Sequence, residues 1–331
     1  MSRQPQLYPW TRPQAQRVLQ GIDRLPHAFL LNGPRGLGKA QFAALLSVVL
    51  SCKRPDLANA TACGTCQNCR LLAAGNHPDV RWVAPLEEGK AITIDEIREL
   101  ADLLQLRPHI GQRKIVIISP AEAMNSNAAN SLLKVLEEPP SDSLLLLVTA
   151  DPTRLPATVR SRCQRLTFTT PERRVALEWI QATAGLPGEQ AQVLLDLAGG
   201  ATLRALELTH NDFLNVRGEL LSDVENLAQK RADPLACAAR WKAHGARLCL
   251  DWLQGGIMDL IRIGAAPRCE GIVNRDVRER LHVLQKRLDL KQLFRFLETV
   301  SDSRNLAGGP LDDLLLLEDV LIRWTRLAQH P

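Results

Sequence analysis

Short apolar runs bounded by turn residues recur through the first half of the chain, and between them apolar residues fall at helical spacing. Residues Ala28–Asn32 form one such run and lead into a glycine-rich turn, after which 41–50 reads as a helix. Ile97, Leu100, Leu103 and Leu104 line one face of a helix opening at Ile94, for which Asp95 is the expected N-cap. Residues 114–119 are β-branched and continuously apolar, as a strand covered on both faces of a parallel sheet would be. A helix over 127–138 is stopped by Pro139 and Pro140, a buried strand follows at 144–149, and a last one is predicted at 164–168.

Strands alternating with helices predict an α/β fold: a parallel sheet with helices on both faces. After Pro171, suited to the first turn of a helix, only helical patterns remain, with breaks at Gly199–Gly200 and around Asn211. The expected organisation is an α/β core over 1–169, a small helical unit over 170–208 and an all-α domain over 209–331.

Composition narrows this little. The 331 residues are 45% hydrophobic and 23% charged, which suits folded domains rather than disorder. Forty-one basic against 36 acidic residues give +5, and aromatics make up 4%, which argues against a single-strand binder built on stacking platforms. No signal peptide is evident and the apolar runs are far short of a membrane span, so a soluble cytoplasmic protein is expected. In that compartment eight cysteines point to a metal site before a disulfide framework.

Gly33-Pro-Arg-Gly36-Leu-Gly38-Lys39 follows a predicted strand and opens a predicted helix. That is the setting of a P-loop, whose backbone N–H groups and helix N-terminus cradle phosphate while the lysine neutralises it. The hydroxyl residue that should come next, as a Mg²⁺ ligand, is Ala40. The strand that should end in acidic residues runs instead into Ser119 and Pro120, and Glu122 lies two positions late, where a solvated helix residue is expected. With these parts missing together, turnover of ATP is not expected; nucleotide binding is left open.

Cys63, Cys66 and Cys69 fall at two-residue gaps, with Cys52 upstream. Four thiolates close a tetrahedral zinc site with no position for water, so a structural zinc is expected, with an iron–sulfur cluster or coincidental free thiols as the alternatives. The scattered Cys163, Cys237, Cys249 and Cys269 read as small buried hydrophobes.

The P-loop with its Leu30-Leu-Asn-Gly33 approach and the four-cysteine insert are followed by Leu132-Leu-Lys-Val-Leu-Glu-Glu-Pro-Pro140 and Ser161-Arg162-Cys163. Next come Gly200-Ala-Thr-Leu-Arg204 and, near the end, Leu316-Leu-Glu-Asp-Val-Leu-Ile-Arg-Trp324. In this order the motifs resemble the bacterial DNA polymerase III clamp-loader subunits, which are AAA+ proteins. ATPase members of that family keep Ser or Thr after the P-loop lysine and an Asp-Glu pair after the acidic strand. The departures here look like a non-hydrolysing member rather than the gamma/tau motor.

The resemblance implies an AAA+ core and lid, and a helical collar that joins five subunits in a ring with gamma/tau and delta. Such a ring loads a sliding clamp on primed DNA. It makes Arg162 a trans arginine finger for the neighbouring ATP site, and Gly33, Gly36, Gly38, Lys39 and Arg204 a vestigial phosphate site. No polymerase activity is expected of the chain itself, only of the holoenzyme, a nucleotidyltransferase. Lys134 and residues 125–130 are weaker candidates for facing DNA, His27 and His77 read as structural, and Leu314 to Glu318 as collar packing. The competing readings are an active gamma/tau-like ATPase and a zinc-module DNA-binding protein.

Overall fold

Successive residues of a strand point to opposite faces of the sheet, so a strand apolar at every position needs cover on both sides. The structure, a computed structural model, describes residues 5–87, 89–209, 213–266, 269, 271–309 and 311–328. It forms two compact units, Met1–Val175 with Ala201–Arg204, and Ala176–Gly200 with Ala205–Pro331. The segment 170–208 is therefore shared between them.

The first unit holds a parallel sheet of five strands: β1 (Ala28–Asn32), β2 (Val80–Val83), β3 (Lys114–Ile118), β4 (Ser143–Thr149) and β5 (Gln164–Thr167). Their order is β2-β3-β4-β1-β5. On one face Phe29, Leu31, Ile117 and Leu146 pack with Val18 of α1 (Arg12–Gln20) and with Phe42 and Leu46 of α2 (Lys39–Ser51). On the other, Leu30, Val116, Ile118 and Leu147 pack with Ile97 and Leu100 of α4 (Ile94–Gln105) and Leu132 of α5 (Ser126–Glu137). A short α3 (Gln67–Ala73) lies within the cysteine segment, and α6 (Ala157–Ser161) precedes β5. The expected parallel sheet with helices on both faces is thus the fold of this unit.

Two local expectations are corrected. The cap of α4 is Thr93, not Asp95: the Glu96 carboxylate accepts from the Thr93 backbone N–H at 2.7 Å, half of a capping box, and Asp95 sits in the first turn. Strand β2 has no counterpart in the sequence reading. It is a four-residue edge strand with Arg81 and Trp82 exposed, so its burial pattern never becomes continuously apolar.

The second unit is helical: the later part of α7 (Arg173–Ala184), α8 (Gly188–Leu197), the end of α9 (Thr202–Glu207), then α10 (Phe213–Ala228), α11 (Pro234–His244), α12 (Ala246–Ala265), α13 (Arg278–Gln285), α14 (Leu290–Leu306) and α15 (Asp313–Leu327). One core joins Leu253 and Ile257 of α12, Leu293 and Phe296 of α14, and Leu317 and Trp324 of α15. The Trp324 indole N–H donates to the Val224 carbonyl at 2.9 Å, so this buried ring leaves no donor unpaired. Pro171 precedes α7 rather than lying in its first turn. The break at Gly199–Gly200 separates α8 from α9, whereas the one around Asn211 lies outside the described residues. Among the described residues no helix is long and apolar enough to cross a membrane.

Candidate functional site

The chain leaves β1 and turns back into α2 through Gly33, Gly36 and Gly38, at φ 147°, 75° and 84°. The last two are left-handed angles that glycine adopts without strain. A side chain at Gly33 would place Cβ 2.2 Å from the Phe168 carbonyl oxygen, so close approach as well as conformation demands glycine there. At the end of this turn Lys39 is buried, and its ammonium donates to the carbonyls of Gly33 and Pro34, both at 2.6 Å. The lysine is folded back on the loop that carries it. Burial pulls the Lys39 ammonium down to about 8, with Glu122 opposing that shift and Arg35 adding to it.

Glu122 is not the solvated helix residue expected from its position. It is buried in a 3₁₀ turn, Ala121–Ala123, just past the end of β3, and Oε1 accepts from the Ala150 N–H at 3.0 Å. Its Oε2 is buried with no hydrogen-bond partner among the described residues. A carboxylate therefore does act on the loop lysine, although Ser119 and Pro120 occupy the positions where the acidic pair was sought. Ala40 offers no hydroxyl.

Arg204 comes to the same loop. Leu203 donates its backbone N–H to the Gly36 carbonyl at 2.9 Å, and a Cβ at Gly36 would lie 2.7 Å from that of Arg204. From the other end of the chain, Tyr8 and Trp10 stack with ring centroids 5.0 Å apart. Trp10 donates its indole N–H to the Leu37 carbonyl at 2.9 Å, and a Cβ at Gly38 would lie 2.8 Å from the Tyr8 ring. This aromatic strap was missed from sequence; an aromatic pair in a chain so poor in them is the only signal it leaves.

The four cysteines expected to bind metal are brought together. Cys52 follows the end of α2, Cys63 lies in the intervening loop, and Cys66 and Cys69 open α3; their sulfur atoms all lie within 4.8 Å of one another. Asp56 and Thr61 pair in antiparallel fashion and close the excursion between Cys52 and Cys63. The Asn68 amide donates to the Ser51 carbonyl at 2.6 Å, tying α3 to the end of α2. Backbone N–H groups of Thr65 and Cys66 hold the Cys63 thiol down at about 6, so it gives up its proton readily. Sulfurs around a tetrahedral zinc at ~2.3 Å stand roughly 3.8 Å apart, so this donor set fits a closed, four-sulfur site for a metal ion. Of the remaining cysteines, Cys163, Cys237 and Cys249 are buried as expected, but Cys269 is half-exposed.

Arg162 ends α6 with its side chain about one-third exposed. One terminal nitrogen donates to the Thr158 carbonyl at 3.0 Å and the other pairs with the Glu137 carboxylate at 2.6 Å. The neighbouring Cys163 is buried in the core and Ser161 donates to the Thr158 carbonyl of its own helix, whereas Arg162 makes a polar pair with a side chain of another element. The pairing with Glu137, distant in sequence, left no signal. Asn125 caps α5 by accepting from the Ala128 N–H at 2.8 Å, which assigns it a structural role, while Lys134 is exposed on α5. His77 is buried and accepts from the Asp79 N–H at 3.1 Å.

A family profile described as DNA polymerase III, delta subunit, matches residues 13–172, and one described as DNA polymerase III, delta subunit, C terminal, matches residues 211–326. The DNA polymerase III subunit delta' of Pseudomonas aeruginosa is 35% identical over 324 residues, covering 97% of this chain and 98% of that one. The protein of the same name from Escherichia coli is 30% identical over 96% of this chain and 94% of its own length. A DNA polymerase III subunit tau/gamma from Haemophilus influenzae is 38% identical over 141 residues, 43% of this chain and 20% of that protein.

Proposed function

The chain belongs to the DNA polymerase III subunit delta' family, and on that premise we propose that it is the non-hydrolysing member of the clamp-loader ring. In this reading it assembles with gamma/tau ATPase subunits and a delta subunit into a hetero-pentamer, in the cytoplasm, and helps that assembly place a sliding clamp on primed DNA. Its AAA+ core over 1–169 and lid over 170–208 supply the ATPase-like surface, and the helices of 209–331 form the collar. A structural zinc ion held by Cys52, Cys63, Cys66 and Cys69 locks the module after α2.

The observation that carries the reading is the state of the phosphate loop. Lys39 is bonded to the Gly33 and Pro34 carbonyls, Ala40 supplies no hydroxyl for a magnesium ion, and Ser119 and Pro120 supply no carboxylate. A loop so arranged keeps the shape of an ATPase without its chemistry. What the chain offers instead is Arg162, which extends from the end of α6 with N–H donors to spare. A guanidinium beside a neighbour's γ-phosphate offsets the charge that develops in transfer, an effect typically worth ~10³–10⁵ in rate.

The test is reconstitution with gamma/tau and delta, comparing DNA-stimulated ATP hydrolysis by wild type and Arg162→Ala. Assembly that survives with turnover cut at least tenfold supports the trans-acting role. Unchanged turnover removes it and leaves Arg162 a structural residue. Failure to assemble removes the ring itself.

A further inference from the structure

The Arg162 side chain is held from two helices rather than left to wander. Thr158 belongs to α6 and Glu137 is the last residue of α5, and both helices are fixed to one face of the sheet through Leu132, Leu136 and Val159, all buried. The two bonds, at 3.0 Å to the Thr158 carbonyl and 2.6 Å to Glu137, occupy the terminal nitrogens. A guanidinium carries five N–H donors. Two are engaged, so the rest stay available for a second acceptor while the plane of the group is already set.

An arginine on the surface samples many rotamers, and that freedom must be given up before it can serve a reacting phosphate. We infer that Glu137 is a positioning residue for Arg162: its carboxylate fixes the guanidinium in advance, so that docking against a neighbour's nucleotide does not have to order it. This rests on the trans-acting reading of Arg162. An ion pair as exposed as this, with side chains 36% and 50% accessible, contributes little to folding, so its removal leaves the fold standing.

The experiment uses the reconstituted complex with gamma/tau and delta, with ATP as the varied substrate, and four forms of this chain beside wild type. Glu137→Ala is expected to lower kcat about 10-fold with KM for ATP unchanged, short of the ~10² that a 1 Å misplacement can cost. Glu137→Gln, which keeps an oxygen acceptor for the guanidinium, should recover most of that loss. Glu137→Ala combined with Arg162→Ala should be no slower than Arg162→Ala alone, because a positioning residue has nothing left to position. A double variant slower than Arg162→Ala, or Glu137→Ala with wild-type or raised kcat, overturns the positioning role while leaving Arg162 in place. Arg162→Ala with wild-type turnover is a separate failure, that of the trans-acting reading on which this inference stands.

Discussion

Trp10 donates its indole N–H to the backbone carbonyl of Leu37 at 2.9 Å, tying the start of the chain to the phosphate loop. Both ends of the bond are buried, so nothing replaces it when it is lost. Trp10→Phe keeps the ring and removes the donor, and the expected destabilisation is about 1–2 kcal/mol in urea unfolding. An unchanged midpoint would mean that the strap is packing without a polar anchor.

Asp79 organises the approach to β3. Its buried carboxylate accepts from the backbone N–H groups of His109, Ile110 and Gly111 at 2.6, 2.9 and 2.8 Å. Burial pushes this carboxyl up, but the three N–H groups and Lys114 outweigh it and hold it below the usual carboxylate range. The unfolded chain therefore binds the proton more readily, and the stabilisation is present above about pH 4 and lost as pH falls through the lower folded value. Asp79→Asn, whose amide group brings donors to a site lined with donors, should cost about 2–4 kcal/mol at pH 7. It should also flatten the acid limb of the stability curve; an acid limb identical to wild type would count against Asp79 as its source.

Purified protein should carry one zinc ion per chain, measured by elemental analysis. A strong chelator should lower the thermal midpoint, and Cys66→Ser should abolish both the metal and the chelator effect. Because the thiols must lose protons to bind, retention of metal should weaken on acidification. Iron with visible absorption would replace zinc by an iron–sulfur cluster, and metal well below one ion per chain would leave the cysteines as free thiols.

The isolated chain should show no Mg²⁺-dependent ATP hydrolysis, and Ala40→Thr should not restore any. A hydroxyl at position 40 supplies one missing ligand, but Ser119 and Pro120 still provide no carboxylate. Turnover in either protein, lost on Lys39→Ala, would establish an active ATPase.

Much of this was legible in the sequence because the signals are local. A strand buried on both faces must be apolar throughout, which is how β3 and β4 announce themselves, and the glycines of the phosphate loop stand where backbone geometry demands them. The cysteine spacing likewise specifies a shared site before any coordinates. Other features depend on what lies across space. Glu122 reads as solvated because the Ala150 backbone N–H that it accepts from and the Lys39 charge that it acts on both lie far along the chain. Glu137 is one of two consecutive glutamates, and only the placement of α6 beside α5 selects it as the partner of Arg162. Strand β2 escaped for a third reason: at a sheet edge it needs neither length nor continuous hydrophobicity.

The folded-back Lys39 carries a thermodynamic consequence. A protein that binds nucleotide gains stability as the nucleotide accumulates, by RT ln(1 + [L]/Kd). The Lys39 ammonium must leave the Gly33 and Pro34 carbonyls before it can reach a phosphate, so any such gain should be smaller here than for a loop whose lysine is free.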